Sequence, residues 1–228
     1  MYSGYSFTTF DDLCVYLLTQ IQPKRVLDIG AGEGKYGRLI RAANLPQPHL
    51  TAVEYEPGRK DELLALGYDE VRSISALSLM DRPEETFDFV ILGDVIEHFR
   101  KSEGQDLLEY LNYRCKFILI VTPECMPMSS PNFYEGHNSL WRPQSMQWHD
   151  LWAHCRNNVM HFYLLRGYLG MNEDPSMRDL VNHVNAQPFM QQRNSEHQTT
   201  QVRQLTLHDT ISLDLSEDQS HHVFFRPI

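Results

Sequence analysis

The chain has 228 residues, of which 42% are apolar and 22% charged, and its formal net charge is −10. That length and apolar content suit a single α/β domain, 1–228, with a substantial core, and they exclude bulk disorder. The acidic balance argues against a nucleic-acid partner, because phosphate contacts need clustered basic side chains. Apolar runs such as 117–121 are far too short to span a bilayer, so no membrane partner is expected. Cys14, Cys115, Cys125 and Cys155 form no C-x-x-C pair and read as reduced thiols. The start, from Met1 to Tyr5, has neither the basic nor the long apolar part of a signal peptide. The expected location is therefore cytoplasmic. The sequence leaves the oligomeric state open, with a homodimer as one option.

In chain order, Phe10, Leu13, Cys14, Leu17, Leu18 and Ile21 recur at helical spacing and predict an amphipathic helix. Thr9 and Asp12 read as a capping pair at its start, and Pro23 ends it. Strands and helices then alternate. Strands are predicted at 25–29, 50–54, 71–74, 87–92 and 117–121, with helices at 35–43, 59–66 and around 103–113. Continuous apolar strands belong to a parallel sheet covered on both faces, and the alternation predicts right-handed β-α-β units in a doubly wound fold. Beyond Val121 the pattern changes. A loop over 123–142, punctuated by Pro123, Pro127, Pro131 and Gly136, follows a strand end and reads as functional. Residues 148–155 read as a helix and 160–166 as a strand. The polar stretch 172–201, rich in Asn, Gln and His, reads as a mobile insert or lid. Segments 210–215 and 222–225 predict a terminal strand pair.

The most informative stretch is Val26-Leu27-Asp28-Ile29-Gly30-Ala31-Gly32-Glu33-Gly34. A buried strand ends in an acid, and glycines at alternate positions free the backbone to approach a ligand. The helix that follows adds unpaired N–H groups at the same place. A dinucleotide fingerprint, G-x-G-x-x-G, would need glycine where Lys35 stands, and a phosphate loop would need Ser or Thr where Tyr36 stands. What remains, Asp-x-Gly-x-Gly-x-Gly, resembles the first motif of class I S-adenosylmethionine-dependent methyltransferases. A second stretch, Asp94-Val95-Ile96-Glu97-His98-Phe99 after the fourth strand, is similar to the D-V-[IL]-E-H-[FL] segment of their small-molecule-type branch. The tetrad [DNS]-P-P-[YF] of base-amine and glutamine-amide methylating relatives is replaced here by Gly93-Asp94-Val95-Ile96.

The resemblance implies a Rossmann-like α/β sandwich with a seven-stranded, mostly parallel sheet and one antiparallel strand near the C-terminus. It also implies S-adenosylmethionine as cofactor. Asp28, Gly30, Ala31, Gly32 and Gly34 would then line the cofactor's amino-acid side, the glycines through backbone alone. Glu54, with Tyr55 beside it, stands where an acid clamps the ribose hydroxyls; Glu56 is the near alternative. Ser75 stands where an acid usually meets the adenine amine, with Ala76 and Leu77 as its neighbours. Asp94 and Val95 would border the sulfonium.

The segment His137-x-Ser139-x-Trp141 is similar to the H-x-S-x-W loop that members of this branch carry beside the acceptor. Tyr134, His137 and Trp141 are thus the expected acceptor contacts. His137 is the first candidate for catalytic base and His98 the second, with Asp94 shaping the pocket. Glu124, Cys125, His137, His149 and His154 match no tight ligand spacing, so no metal is expected. The function read from the sequence is methyl transfer to an oxygen or nitrogen of a small molecule. Two alternatives stand beside it: a cofactor-binding regulatory or scaffold subunit, and a lyase- or cyclase-type user of the same cofactor.

Overall fold

The computed structural model describes residues 7–81, 84–124, 136–191, 203–209, 211–213 and 225–227. Its first helix, α1 (Asp11–Ile21), turns Leu13, Cys14, Leu17 and Leu18 inward, as the spacing predicts. The Thr9–Asp12 cap does not form. Phe10 holds the cap position, and Asp12 instead takes the N–H of Leu13 and the guanidinium of Arg203. Strand β1 (Arg25–Ile29) runs into the glycine loop and α2 (Lys35–Ala42). Strand β2 (His49–Val53), helix α3 (Lys60–Ala65) and strand β3 (Glu70–Arg72) follow. Then come β4 (Phe87–Gly93), α4 (Lys101–Asn112) and β5 (Cys115–Pro123).

The main sheet has eight strands, one more than expected, in the order β3-β2-β1-β4-β5-β7-β6-β8, where β6 is Leu151–Asn157, β7 is Met160–Arg166 and β8 is Thr206–Asp209. The first five pair in parallel, and β7, β6 and β8 each join antiparallel to the strand before them in that order. The terminal pair sits apart as a two-stranded ribbon of β9 (Ile211–Leu213) and β10 (Phe225–Pro227), while Thr206–Asp209 extends the main sheet instead. Alternation along the central strands divides the core in two. Phe89, Ile91, Phe117 and Leu119 face the side covered by α1, α2 and Leu63 of α3; Val90, Leu92, Ile118 and Ile120 face α4 and Trp141.

Two expectations are corrected here. Residues 148–155 contribute to strand β6, not a helix, because they form a hairpin with β7 that turns at Asn158, whose φ is 53°. A single Asn in the left-handed region closes such a hairpin without glycine. The stretch read as a polar insert holds a real helix, α5 (Met177–Asn185). It buries Met177, Leu180, Val181 and Val184 in the same core as α1, and the Ser176 hydroxyl caps it by accepting the Asp179 N–H. This segment, as far as Gln191, packs against the body of the protein. No described helix is long and apolar enough to cross a membrane.

The sheet order places the site. From β1 the chain steps outward to β2 and β3, and from β4 it steps the other way to β5. Where the direction of winding reverses, the loops leaving the two central strands diverge and open a crevice at their carboxyl ends. The loop after β1 carries the glycines, and the loop after β4 carries Asp94 to His98.

Candidate active site

The three loop glycines all have positive φ, 68° at Gly30, 52° at Gly32 and 74° at Gly34, yet they do different work. A Cβ on Gly30 would fall 2.3 Å from Val95 Cγ2, and one on Gly34 would fall 2.7 Å from Leu66 Cδ1. These two are glycine because the protein itself closes around them. At Gly32 a Cβ would meet only the Gly30 carbonyl, at 3.8 Å. Its open side is where a ligand can approach the backbone.

Glu54, just past β2, sends one carboxylate oxygen to the Gly32 N–H at 2.7 Å and the other to the Glu56 N–H at 2.9 Å. The acid is thus fixed at the rim of the glycine loop, with lone pairs left over for hydroxyl donors. Tyr55 beside it is exposed, and Ala31 is buried with its N–H on the Val53 carbonyl. Ser75 turns its hydroxyl back to accept the Leu77 N–H at 3.3 Å, which organises the turn rather than extending a polar group outward. Ala76 is buried next to it and Leu77 packs on the α4-side core.

Asp28 lies beneath the loop, 1% exposed. The Tyr68 hydroxyl donates to its Oδ2 at 2.5 Å and accepts the Gly37 N–H at 3.0 Å, so the acid anchors the start of α2 through a tyrosine. Its Oδ1 is buried without a partner among the described residues, as is the Tyr36 hydroxyl nearby. Burial pushes the Asp28 carboxyl up to about 7. An acid whose folded pKa lies above its unfolded ~3.9 stabilises the fold below pH ~4 and loses that contribution as pH rises through about 7. In the absence of ligand, Asp28→Asn is therefore expected to hold its stability better than the wild type between pH 5 and 8 in urea titrations. Equal slopes for the two proteins would contradict this.

The segment after β4 leads into α4 through a short turn. It forms a 3-10 turn, Ile96–His98, and α4 begins only at Lys101, with Glu103 accepting the Arg100 N–H. Asp94 adopts φ 55° and binds its N–H to the Val121 carbonyl, so the chain bends sharply at the strand end. Val95 then reaches across to fill the space over Gly30.

Residues 136–141 are strapped to this turn. The Glu97 carbonyl accepts the N–H groups of Asn138 and Ser139, and Asn138 Nδ2 donates to the His98 carbonyl at 2.7 Å. Trp141 Nε1 donates to Ser139 Oγ at 2.8 Å and to the Ile96 carbonyl at 3.1 Å. Trp141 is 1% exposed and packs on Gly104 of α4, with the Lys101 ammonium 3.4 Å from its ring centre. The expectation of Trp141 as an acceptor contact is therefore corrected. Full burial makes it a fastener, and with Ser139 it presents His137 at the end of the strap. Tyr134 lies outside the described residues.

His98 and His137 stand edge to face with ring centres 5.2 Å apart. His98 Nδ1 lies 3.1 Å from the Gly136 carbonyl. A carbonyl only accepts, so a proton on Nδ1 satisfies this contact, and the ring also interacts with the Asp94 backbone. Burial holds both imidazoles below their ordinary pKa, and for His98 the neighbouring His137 adds to the effect. Between them and the core sits Glu97, a residue not singled out by the sequence. It is 1% exposed, accepts the Thr122 hydroxyl at 2.9 Å, and has its carboxyl pushed up to about 8 by burial and by the charge of Asp94.

The described residues weighed in the sequence as metal ligands make other contacts. His149 bonds Asn112, whereas Glu124 and His154 meet through His161 and Glu124 is paired with Arg142 and Arg156. Cys125 lies outside the described residues.

A glycine loop leaving the switch point, with an acid at its rim and a buried acid beneath, is the arrangement of a Rossmann-like cofactor-binding protein. A family model described as a methyltransferase domain matches residues 2–167, and the chain belongs to that family. Its fold is that of class I S-adenosylmethionine-dependent methyltransferases. Among solved structures, the chain is similar to the N-terminal domain of EvdMO1 with S-adenosylhomocysteine bound, at 16% identity and TM-score 0.53 over 70% of this chain and 81% of that one. It is similar to the plantazolicin methyltransferase BpumL, at 16% identity and TM-score 0.52 over 70% and 85% of the two chains. It also resembles an O-methyltransferase family protein from Burkholderia thailandensis, at 15% identity and TM-score 0.52, over 70% of this chain and 57% of that one. No curated protein matches the chain.

Proposed function

We propose that this methyltransferase moves the methyl group of S-adenosylmethionine to an oxygen or nitrogen of a small-molecule acceptor by in-line displacement. The observation that carries the reading is the pairing of two half-sites across the switch point. On one side, Gly32 leaves its backbone open beside the fixed carboxylate of Glu54, a setting for the ribose diol. The unpartnered Asp28 Oδ1 beneath is suited to the cofactor's ammonium group. On the other side, two neutral imidazoles are held side by side, and a neutral imidazole accepts a proton near pH 7. The remainder of the rate comes from holding acceptor, methyl carbon and sulfur in line.

The structural relatives point the same way. The EvdMO1 domain and BpumL were crystallised with S-adenosylhomocysteine, and the former also in the presence of D-fucose. Calorimetry with S-adenosylhomocysteine tests the donor half of this reading, with saturable 1:1 binding as the expected result. Incubation with methyl-labelled donor and a panel of hydroxylated and aminated small molecules tests the other half. Label in an acceptor together with S-adenosylhomocysteine supports transfer. Methylthioadenosine as the product would instead make the protein a lyase or cyclase.

A further inference from the structure

Glu97, His98 and His137 come from two separate segments, yet each offers one ligating atom and those atoms all lie within 4.8 Å of one another. Glu97 is 1% exposed; its Oε2 is tied to the Thr122 hydroxyl, while Oε1 is buried with no hydrogen-bond partner among the described residues. His98 is fixed through Nδ1 to the Gly136 carbonyl. His137 Nδ1 is buried and likewise unpartnered among the described residues. Leaving a buried acceptor unmet is unfavourable, and more so when it is charged. Glu97 Oε1 and His137 Nδ1 are thus two buried polar atoms left unmet within one cluster, and a cation held there would satisfy both together with His98.

We propose that Glu97, His98 and His137 bind a divalent first-row transition-metal ion that takes the acceptor's hydroxyl oxygen as a further ligand. Two imidazole nitrogens and one carboxylate oxygen suit Mn²⁺, Fe²⁺, Co²⁺ or Zn²⁺ better than Ca²⁺ or Mg²⁺, which prefer oxygen throughout. Bonds of about 2.0–2.2 Å need the three atoms drawn together by small side-chain rotations. Three protein ligands leave coordination positions open, as in catalytic rather than structural sites. Hydrogen bonds from Thr122 and to Gly136 play the part of the outer groups that aim metal ligands. No such site is legible from spacing, because the strap that delivers His137 closes a gap of 38 residues between Gly136 and His98.

The inference rests on the proposed methyl transfer and narrows it to oxygen. A hydroxyl bound to the ion loses its proton to water more readily than a free one. The resulting oxygen forms a bond to the methyl carbon as the carbon–sulfur bond breaks. The bonding electron pair stays on sulfur, giving neutral S-adenosylhomocysteine and a methyl ether. In this arrangement the histidines hold the ion, and neither has to act as the base.

The test uses the full chain, stripped with a chelator and then titrated with Co²⁺ by calorimetry and visible absorption. Binding of one equivalent with a ligand-field band is the expected result. Glu97→Gln and His137→Ala should each weaken it by at least about a hundredfold, since even outer-group changes cost 10–100-fold. Both variants should still bind S-adenosylhomocysteine, which shows that they are folded. Wild-type protein that binds S-adenosylhomocysteine but takes up no Co²⁺ overturns the proposal. So does Co²⁺ binding that survives both variants and is lost in His161→Gln, which would move the ion to the His154–His161 pair. Failure of the methyl-transfer reading looks different: Co²⁺ binds as described, but S-adenosylhomocysteine does not.

Discussion

Gly30→Ala is expected to destabilise the protein by about 2–5 kcal/mol, a large share of the 5–15 kcal/mol that holds a typical domain together. Two costs add. The backbone there has φ 68°, and a non-glycine residue forced into that region carries about 1–2 kcal/mol of strain. The new methyl would also lie 2.3 Å from Val95 Cγ2, and inserting a methyl into packed space costs about 1–3 kcal/mol. Val95 cannot easily withdraw, because it sits one residue past the bend at Asp94 and one before the buried Ile96. Adding Val95→Ala to Gly30→Ala should therefore recover the steric part and leave the strain. Chemical denaturation of the single and double variants measures both parts. A Gly30→Ala protein as stable as the wild type would show that the loop rearranges, and the account of Gly30 would fail. Gly32 offers the contrast: it has room for a Cβ, so substitution there should cost little beyond strain while obstructing a ligand.

The second large effect falls on affinity. Glu54→Ala is expected to weaken S-adenosylhomocysteine binding by about one to two orders of magnitude. Hydrogen bonds to a charged group contribute about 1.5–3 kcal/mol, and each ~1.4 kcal/mol is a tenfold change in affinity. Some of the loss is indirect, because the same carboxylate holds the Gly32 N–H at 2.7 Å and the loop would relax without it. Glu54→Gln separates the contributions. It keeps one acceptor oxygen for the loop but loses the charge, so its affinity should fall between the other two. Calorimetry decides. Unchanged affinity in Glu54→Ala would remove this residue from the cofactor site.

The parallel half of the sheet was readable because its signals are local. Val26 to Ile29 and Phe87 to Leu92 are continuous apolar runs, and the turn after the first is set by glycine chemistry that neighbouring structure cannot override. The hairpin was misread because Trp148 to Cys155 mixes aromatic, His and small residues, and its extended form comes from pairing with β7, which is a tertiary fact. Asn157-Asn158 was the available signal. Helix α5 was hidden by composition: the surrounding Asn, Gln and His outweigh Met177, Leu180, Val181 and Val184, though these recur at i, i+3, i+4 and i+7 behind a serine cap. At the site, the motif residues Asp94, His98 and His137 were legible by resemblance, but their division of labour was not. Burial alone separates Trp141, a fastener, from His137, which the fastener presents. Burial also brings out Glu97, because an acid next to a histidine looks like any solvated helix start until its carboxylate proves to be enclosed.

The packing of α5 against α1 bears on where this protein can be divided. The family model ends at residue 167, but the first helix inside that boundary is finished by chain outside it. Val181 and Val184 share a core with Leu13 and Leu17, Phe189 meets the Tyr16 ring edge-on at 5.6 Å, and Arg203 ties the Thr9 carbonyl and Asp12 together. A fragment cut at residue 167 would turn the outer flank of α1 toward water and lose the strand that pairs with β6. The region matched by the family model is thus shorter than the packed body, which reaches at least to β8.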